Sequence, residues 1–195
     1  MRTALGAVSL IVVMAATATT AIAETKPAAA KPAPAAAKPA TTAAAAPGAG
    51  SPLLLLESKD WKAITAAAAK GKMCFALTKP QKMEPPGLAH GDVFFFVSTR
   101  PAESVRNEPS LQVGYPLKEG SKAVVDIDGK KFAFFTRGDG AWLEQNADYA
   151  PFLEAMKKGS KLSVSATSGR GNPTSYVFSL AGLSGALDAA AKECK

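Results

Sequence analysis

The sequence predicts a mainly β domain, an antiparallel β-sandwich with one mid-chain helix and a short C-terminal helix. Three observations carry that reading. Short apolar runs recur between Gly- and Pro-rich breaks from Leu53 to Leu180. Asp128-Gly129 sits between two strand-like runs, the strongest short signal for a hairpin. Helical spacing of apolar side chains is clear in only two places, after Asp148 and after Leu183.

The folded part opens at Leu53-Leu54-Leu55-Leu56. Asp60-Trp61 to Thr65 reads as a strand, but the Ala66–Ala69 run and the Trp61/Ile64/Ala68 spacing equally permit a short helix. Lys72–Thr78 is a clearer strand, with Met73, Phe75 and Leu77 on one face and Cys74 and Ala76 on the other. Pro80, Pro85 and Pro86 mark a loop. Asp92–Thr99 contains Phe94-Phe95-Phe96-Val97, which predicts a strand buried on both faces. Leu111–Tyr115 is a short strand ending before Pro116. Lys122–Ile127 and Lys131–Thr136 flank Asp128-Gly129, whose residue types tolerate the positive φ that a two-residue hairpin turn demands. Residues 137–147 form a Gly-rich turn carrying Trp142.

Asp148 is placed to cap a helix running to Lys158, with Pro151 in its first turn, where a missing N–H costs nothing. Tyr149, Phe152, Leu153 and Met156 form one face. Lys157 and Lys158 meet the negative end of the helix dipole, and Gly159 stops it. Lys161–Thr167 alternates, with Leu162, Val164 and Ala166 in phase. The Ser168-Gly169-Arg170-Gly171-Asn172 turn leads to a second strand, Thr174–Leu180. Ser184 is the expected cap of the terminal helix, whose inward face is Leu183, Leu187, Ala190 or Ala191, and Cys194.

Two segments precede that domain. Residues 1–23 have a single early cation, an apolar run from Ala4 to Ala16 and an Ala21-Ile22-Ala23 ending, the pattern of a secretory signal peptide cleaved after Ala23. The apolar run is too short for a comfortable membrane span, so no transmembrane segment is expected in the mature chain. Residues 24–52 are almost entirely Ala, Pro, Lys, Thr and Gly, which predicts a disordered Ala/Pro/Lys-rich linker. Residues 53–195 form the folded domain, and its location is periplasmic or secreted.

The formal charge of +7 is spread over leader, linker and domain, with both signs interspersed along the domain. That describes an ordinary solvated surface and no nucleic-acid footprint. Cys74 and Cys194 are the two cysteines. In an oxidising compartment an even pair reads as one disulfide, and close to three helical turns separate Leu183 from Cys194, so Cys194 points inward. Two free thiols or an intermolecular bond are the alternatives.

Few residues suggest chemistry. His90 is the single histidine, in a Gly/Pro loop without a partner histidine or spaced carboxylates, so neither a metal site nor a catalytic triad is expected. Arg137-Gly138-Asp139 spells a tripeptide recognised by adhesion receptors, but Gly-Asp-Gly is also plain turn chemistry. Arg100 and Arg106 lie in a charged loop, Arg100–Glu108, with the residue types to grip a carboxylate or phosphate. The Ser168–Asn172 turn joins strand to strand and lacks the helix N-terminus that a phosphate loop needs. Asp126 and Asp128 are followed by Lys130 and Lys131, which oppose a calcium site. Trp142 and the Phe94–Phe96 cluster are expected in the core.

Asp60-Trp61, the Gly71–Leu77 run, Gly120–Ile127, Gly138-Asp139-Gly140-Ala141-Trp142, the Leu153–Val164 segment with Lys157-Lys158-Gly159, and Ser179–Ser184 resemble the invasion-associated locus B (IalB-like) proteins. The resemblance spans residues 55–195. It implies an exported envelope protein of alphaproteobacterial type, a β-sandwich fold, and a strand for residues 60–66. Action through surface contacts with an envelope or host partner is the expected function, and the lack of a nucleophile–base pair or clustered metal ligands predicts neither catalysis nor cofactor. Members often carry cysteines around the central hairpin. Phe134–Leu143 has none, which leaves Cys74–Cys194 as the pairing. The candidate partner contacts are Arg100, Arg106, Arg137, Asp139 and Trp142, on a monomer. The rival expectation is a periplasmic module binding a small ligand or envelope polymer, with the aromatic and arginine loops as its cleft.

Overall fold

The computed structural model describes residues 51–195. The expected signal peptide and the linker up to residue 50 lie outside the described residues. Among the described residues eleven strands pair antiparallel throughout: β1 (Leu53–Ser58), β2 (Trp61–Ala68), β3 (Gly71–Thr78), β4 (Lys82–Glu84), β5 (Phe94–Arg100), β6 (Val105–Gln112), β7 (Lys122–Ile127), β8 (Lys130–Arg137), β9 (Gly140–Leu143), β10 (Lys161–Thr167) and β11 (Pro173–Ser179). Helix α1 (Tyr149–Lys158) lies between β9 and β10, and α2 (Leu183–Glu193) follows β11. The hydrogen-bonded order is β1-β2-β3-β5-β6-β9-β8-β7-β10-β11-β4. Neither helix is long and apolar enough to cross a membrane.

This single ladder folds back so that its two halves face each other as the layers of a sandwich. Phe95 of β5 meets Phe178 of β11 at 5.7 Å and Phe134 of β8 at 6.2 Å between ring centroids. Phe152 of α1 inserts between them, 6.2 Å from Phe95 and 4.8 Å from Phe132. At the seam the buried Trp61 indole donates to the Ser179 carbonyl at 2.9 Å, and the Thr78 hydroxyl donates to the Asp60 carbonyl at 2.6 Å. Helix α2 lies on β1–β3 through Leu183, Ala186, Leu187 and Ala190.

The local patterns explain most elements. Ile127 pairs with Lys130 around Asp128 and Gly129, whose φ values are 47° and 97°, as the two-residue turn requires. Leu162, Val164 and Ala166 are buried, in the predicted phase. Residues 60–66 belong to a strand that runs on through the alanines, because pairing to β3 overrides the helical propensity of alanine.

Several expectations need correction. Residues 105–108, read as part of a charged loop, belong to strand β6, which runs on through Pro109 and ends at Gln112. Strand β9 pairs only with Ser110–Gln112, so the half of β6 holding Pro109 is an edge, where a missing donor is tolerated. The loop of prolines contains β4, and the Gly-rich turn contains β9. Asp148 makes no side-chain cap, since the 3₁₀ turn Asn146–Asp148 already gives it helical φ and ψ. Helix α2 starts after Gly182, not at Ser184. Gly182 has a φ of 92°, and a Cβ there would lie 1.9 Å from the Ser58 carbonyl oxygen.

Candidate functional site

The strand registers place one row of side chains across the outer face of the sheet. Leu77 pairs with Phe96, Phe96 with Ser110, Ser110 with Trp142, Trp142 with Phe135, and Phe135 with Lys122. Phe135 and Trp142 stack at 5.7 Å with planes 27° apart, and Phe135 remains 42% exposed. Phe96 touches Phe75 and Phe94, each at 5.7 Å, and the Lys79 ammonium lies 5.0 Å from the Phe94 ring centre. Of the aromatics expected in the core, Phe95 is there, whereas Phe94, Phe96 and Trp142 face outward. The cause is legible in β8: Phe132 and Phe134 take the inner positions, so the period of two turns Phe135 outward.

At the end of this row a depression of about 360 Å³ is lined by Glu108, Phe135, Arg137, Trp142, Glu144 and Tyr149. It unites two of the candidate contacts, Arg137 and Trp142. Arg137 is exposed and enters none of the ion pairs among the described residues. Partial burial, with the nearby Glu108 carboxylate, pushes the Tyr149 phenol up from its ordinary value.

The arginine loop is built differently from a ligand clamp. Arg100 donates to Glu103 at 2.9 Å and to Glu108 at 2.7 Å. Partial burial opposes its charge, but these two carboxylates outweigh that and hold its pKa above the ordinary value. Its guanidinium is therefore already engaged. Arg106 is exposed in the bulged start of β6, next to Asn107, whose φ is 51°. Asp139, in the β8–β9 turn, accepts from the Gln112 amide at 2.8 Å, so its carboxylate is held by β6 and not paired with Arg137.

His90 departs most from its sequence reading. It is 5% exposed and has partners on both ring nitrogens. Nε2 lies 3.0 Å from the Pro85 carbonyl, which only accepts, so Nε2 donates. Nδ1 lies 3.1 Å from the Tyr176 hydroxyl, which meets the Tyr115 hydroxyl. Tyr115 in turn donates to Thr174 at 2.8 Å. Burial, reinforced by Tyr115, drives the Tyr176 phenol far above its ordinary value, so it stays neutral. The chain of contacts joins two loops, β4–β5 and β6–β7, to strand β11, and no spacing in the sequence signals it.

The remaining polar motifs are structural. Asp126 accepts from the Gly129 N–H at 2.8 Å, and Asp128 accepts from the Ser160 N–H at 2.6 Å and from its hydroxyl at 3.2 Å. The Ser160 N–H holds the Asp128 carboxyl below the usual carboxylate range. Among the described residues no three His, Cys, Asp or Glu side chains converge as metal ligands. Cys74 of β3 and Cys194 beyond α2 form a disulfide with Cα atoms 5.9 Å apart, and both are fully buried.

A search of curated proteins and of solved structures finds no match to the chain. A family model does match, described as Invasion associated locus B (IalB) protein, over residues 61–191. That span runs from the first residue of β2 almost to the end of α2 and covers every strand from β2 to β11. With about two thirds of its length matched, the chain belongs to the invasion-associated locus B family.

Proposed function

We propose that this protein is an exported, tethered envelope protein that works by docking an envelope or host partner on the outer face of β5, β6, β9 and β8, without catalysis. The observation that carries the proposal is the Phe135–Trp142 stack, open to solvent beside Arg137. Exposed aromatics next to an arginine are the residue types that dominate binding energy at protein interfaces, and apolar faces left open on a sheet mark interaction surfaces. Arg106 and Asp139 stand as rim contacts, and Arg100 as a fixed charge behind them. Family membership and the disulfide support export. In this reading residues 1–23 direct export and are cleaved after Ala23, residues 24–52 space a monomeric domain from its anchor point, and nucleic acid is no partner.

Co-sedimentation of the mature protein with cell-envelope fractions tests the docking face. Phe135→Ser and Trp142→Ser together are expected to weaken association by about tenfold or more. Association equal to wild type would remove this face from the mechanism. N-terminal sequencing of exported material should begin at Glu24, and limited proteolysis should trim to a resistant core near Leu53.

A further inference from the structure

We propose that the loops at one end of the sheet form a second site, one that binds a compact amphiphilic anion: an aryl or short acyl body carrying one carboxylate or phosphate. The site is a cavity of about 480 Å³ whose walls include Leu88, Ala89, Tyr115, Pro116, Arg170 and Asn172. It shares no residue with the Phe135–Trp142 depression, so it stands or falls independently of the docking face.

Three features set the ligand chemistry. The first is size, since the volume lies within the range of small-molecule sites. The second is the wall. Leu88, Ala89 and Pro116 are apolar, and the Tyr115 hydroxyl is already turned to Thr174 and Tyr176. A ligand therefore meets the ring of Tyr115, not its hydroxyl, and this favours an apolar body. The third is charge. Arg170 is the one charged residue in the lining, it is exposed, and it enters none of the ion pairs among the described residues. A guanidinium without a carboxylate, at the mouth of an apolar cavity, selects an anionic head group.

The site is also preorganised, as a binding site must be. The Gly169 N–H donates to the Pro116 carbonyl at 2.8 Å, and Lys118 N–H donates to Thr167 at 2.9 Å. The Asn172 N–H donates to the Ser168 hydroxyl at 3.1 Å, which shapes the turn that presents Arg170. The Gly114 N–H donates to the His90 carbonyl at 3.1 Å, so the loop bearing Leu88 and Ala89 is fixed to the loop bearing Tyr115. The His90–Tyr176–Tyr115 contacts thereby acquire a purpose: they hold the cavity wall in place. A shallower groove of about 660 Å³ adjoins the cavity through Leu88 and Asn172 and leads past Pro85, which gives an acyl chain room to extend.

The test is a titration of the isotopically labelled mature protein, followed by backbone amide NMR. Phenyl phosphate and octanoate are the anionic probes, and benzyl alcohol is the neutral control. Saturable shifts at Leu88, Ala89, Tyr115, Gly169, Arg170 and Asn172 are expected for at least one anion. A response to phenyl phosphate alone assigns the aryl phosphate combination, and a response to octanoate alone assigns the acyl carboxylate combination. Arg170→Gln should weaken the anions by about tenfold and leave benzyl alcohol unaffected. Leu88→Trp should fill the cavity and abolish binding; Leu88 is 36% exposed, so that variant keeps its fold. The proposal is overturned by an absence of saturable shifts up to about 10 mM of both anions. Shifts scattered outside these loops, or an Arg170→Gln protein that binds anions like wild type, would equally end it.

Discussion

Removing the imidazole of His90 deprives the Tyr176 hydroxyl of one of its two partners and the Pro85 carbonyl of its side-chain donor. The Tyr176 hydroxyl loses Nδ1 and the Pro85 carbonyl loses Nε2. His90→Ala is therefore expected to destabilise the fold by about 1–3 kcal/mol, measured by urea unfolding. The sequence reading, a loop histidine without partners, implies no change, so an unchanged midpoint would show the contacts to be dispensable. Asp128 supplies a second residue-scale prediction. Its folded pKa is lowered by the Ser160 N–H, so its contribution to stability is fully present above the ordinary carboxylate value of about 4. That contribution is lost as the pH falls below this value and through the lowered folded value. The melting-temperature gap between wild type and Asp128→Asn should be constant near neutral pH and close in acid, because Asn keeps the left-handed turn but not the charge. A gap that persists unchanged in acid would mean that the carboxylate charge contributes nothing.

At the scale of elements, the junction between β11 and α2 is set by space. Gly182 combines a positive φ with a carbonyl where a Cβ would stand. Gly182→Ala is expected to cost at least about 2 kcal/mol, because neither the backbone conformation nor the contact with Ser58 can be relieved locally. Ser184→Ala should change little, since Ser184 is exposed within the first turn and makes no cap. Thermal unfolding of the two variants separates these outcomes, and a reversed order would restore Ser184 as the cap. The β7–β8 hairpin shows the opposite case, where turn chemistry alone places both strands.

For the whole molecule, the disulfide is the largest single constraint. It links positions separated by 120 residues, from β3 near the start of the domain to the end of α2. Closing so long a loop in the unfolded chain is worth about 4–5 kcal/mol in the chain-entropy account. Cys194→Ser should destabilise by about 2–5 kcal/mol, and reductant should bring wild type to the same midpoint. A loss under half a kcal/mol, ~0.5, would show that the unfolded chain is not constrained by the bridge. The bridge also fixes α2 on β1–β3, which leaves the opposite face of β3 and β5 to carry the apolar outer row.

By itself the sequence determined the elements whose signals are local. Lys122–Ile127, Lys161–Thr167 and the strand after the Ser168–Asn172 turn follow from alternation and turn chemistry, and α1 from its spacing of Tyr149, Phe152, Leu153 and Met156. Cys74–Cys194 followed from the cysteine count and the phase of the terminal helix. The tertiary structure decided what alternation leaves open. In β3 and β5 both faces are apolar, so composition cannot say that Cys74, Ala76, Phe95 and Val97 turn inward while Leu77 and Phe96 turn outward; the packing of α2 and the opposite layer chooses. Strands β4 and β9, only three and four residues long, exist because neighbouring strands offer them backbone partners. His90, Tyr115 and the Thr174/Tyr176 pair of β11 lie far apart in the chain, and only the folding of two loops onto β11 brings them together beside the cavity.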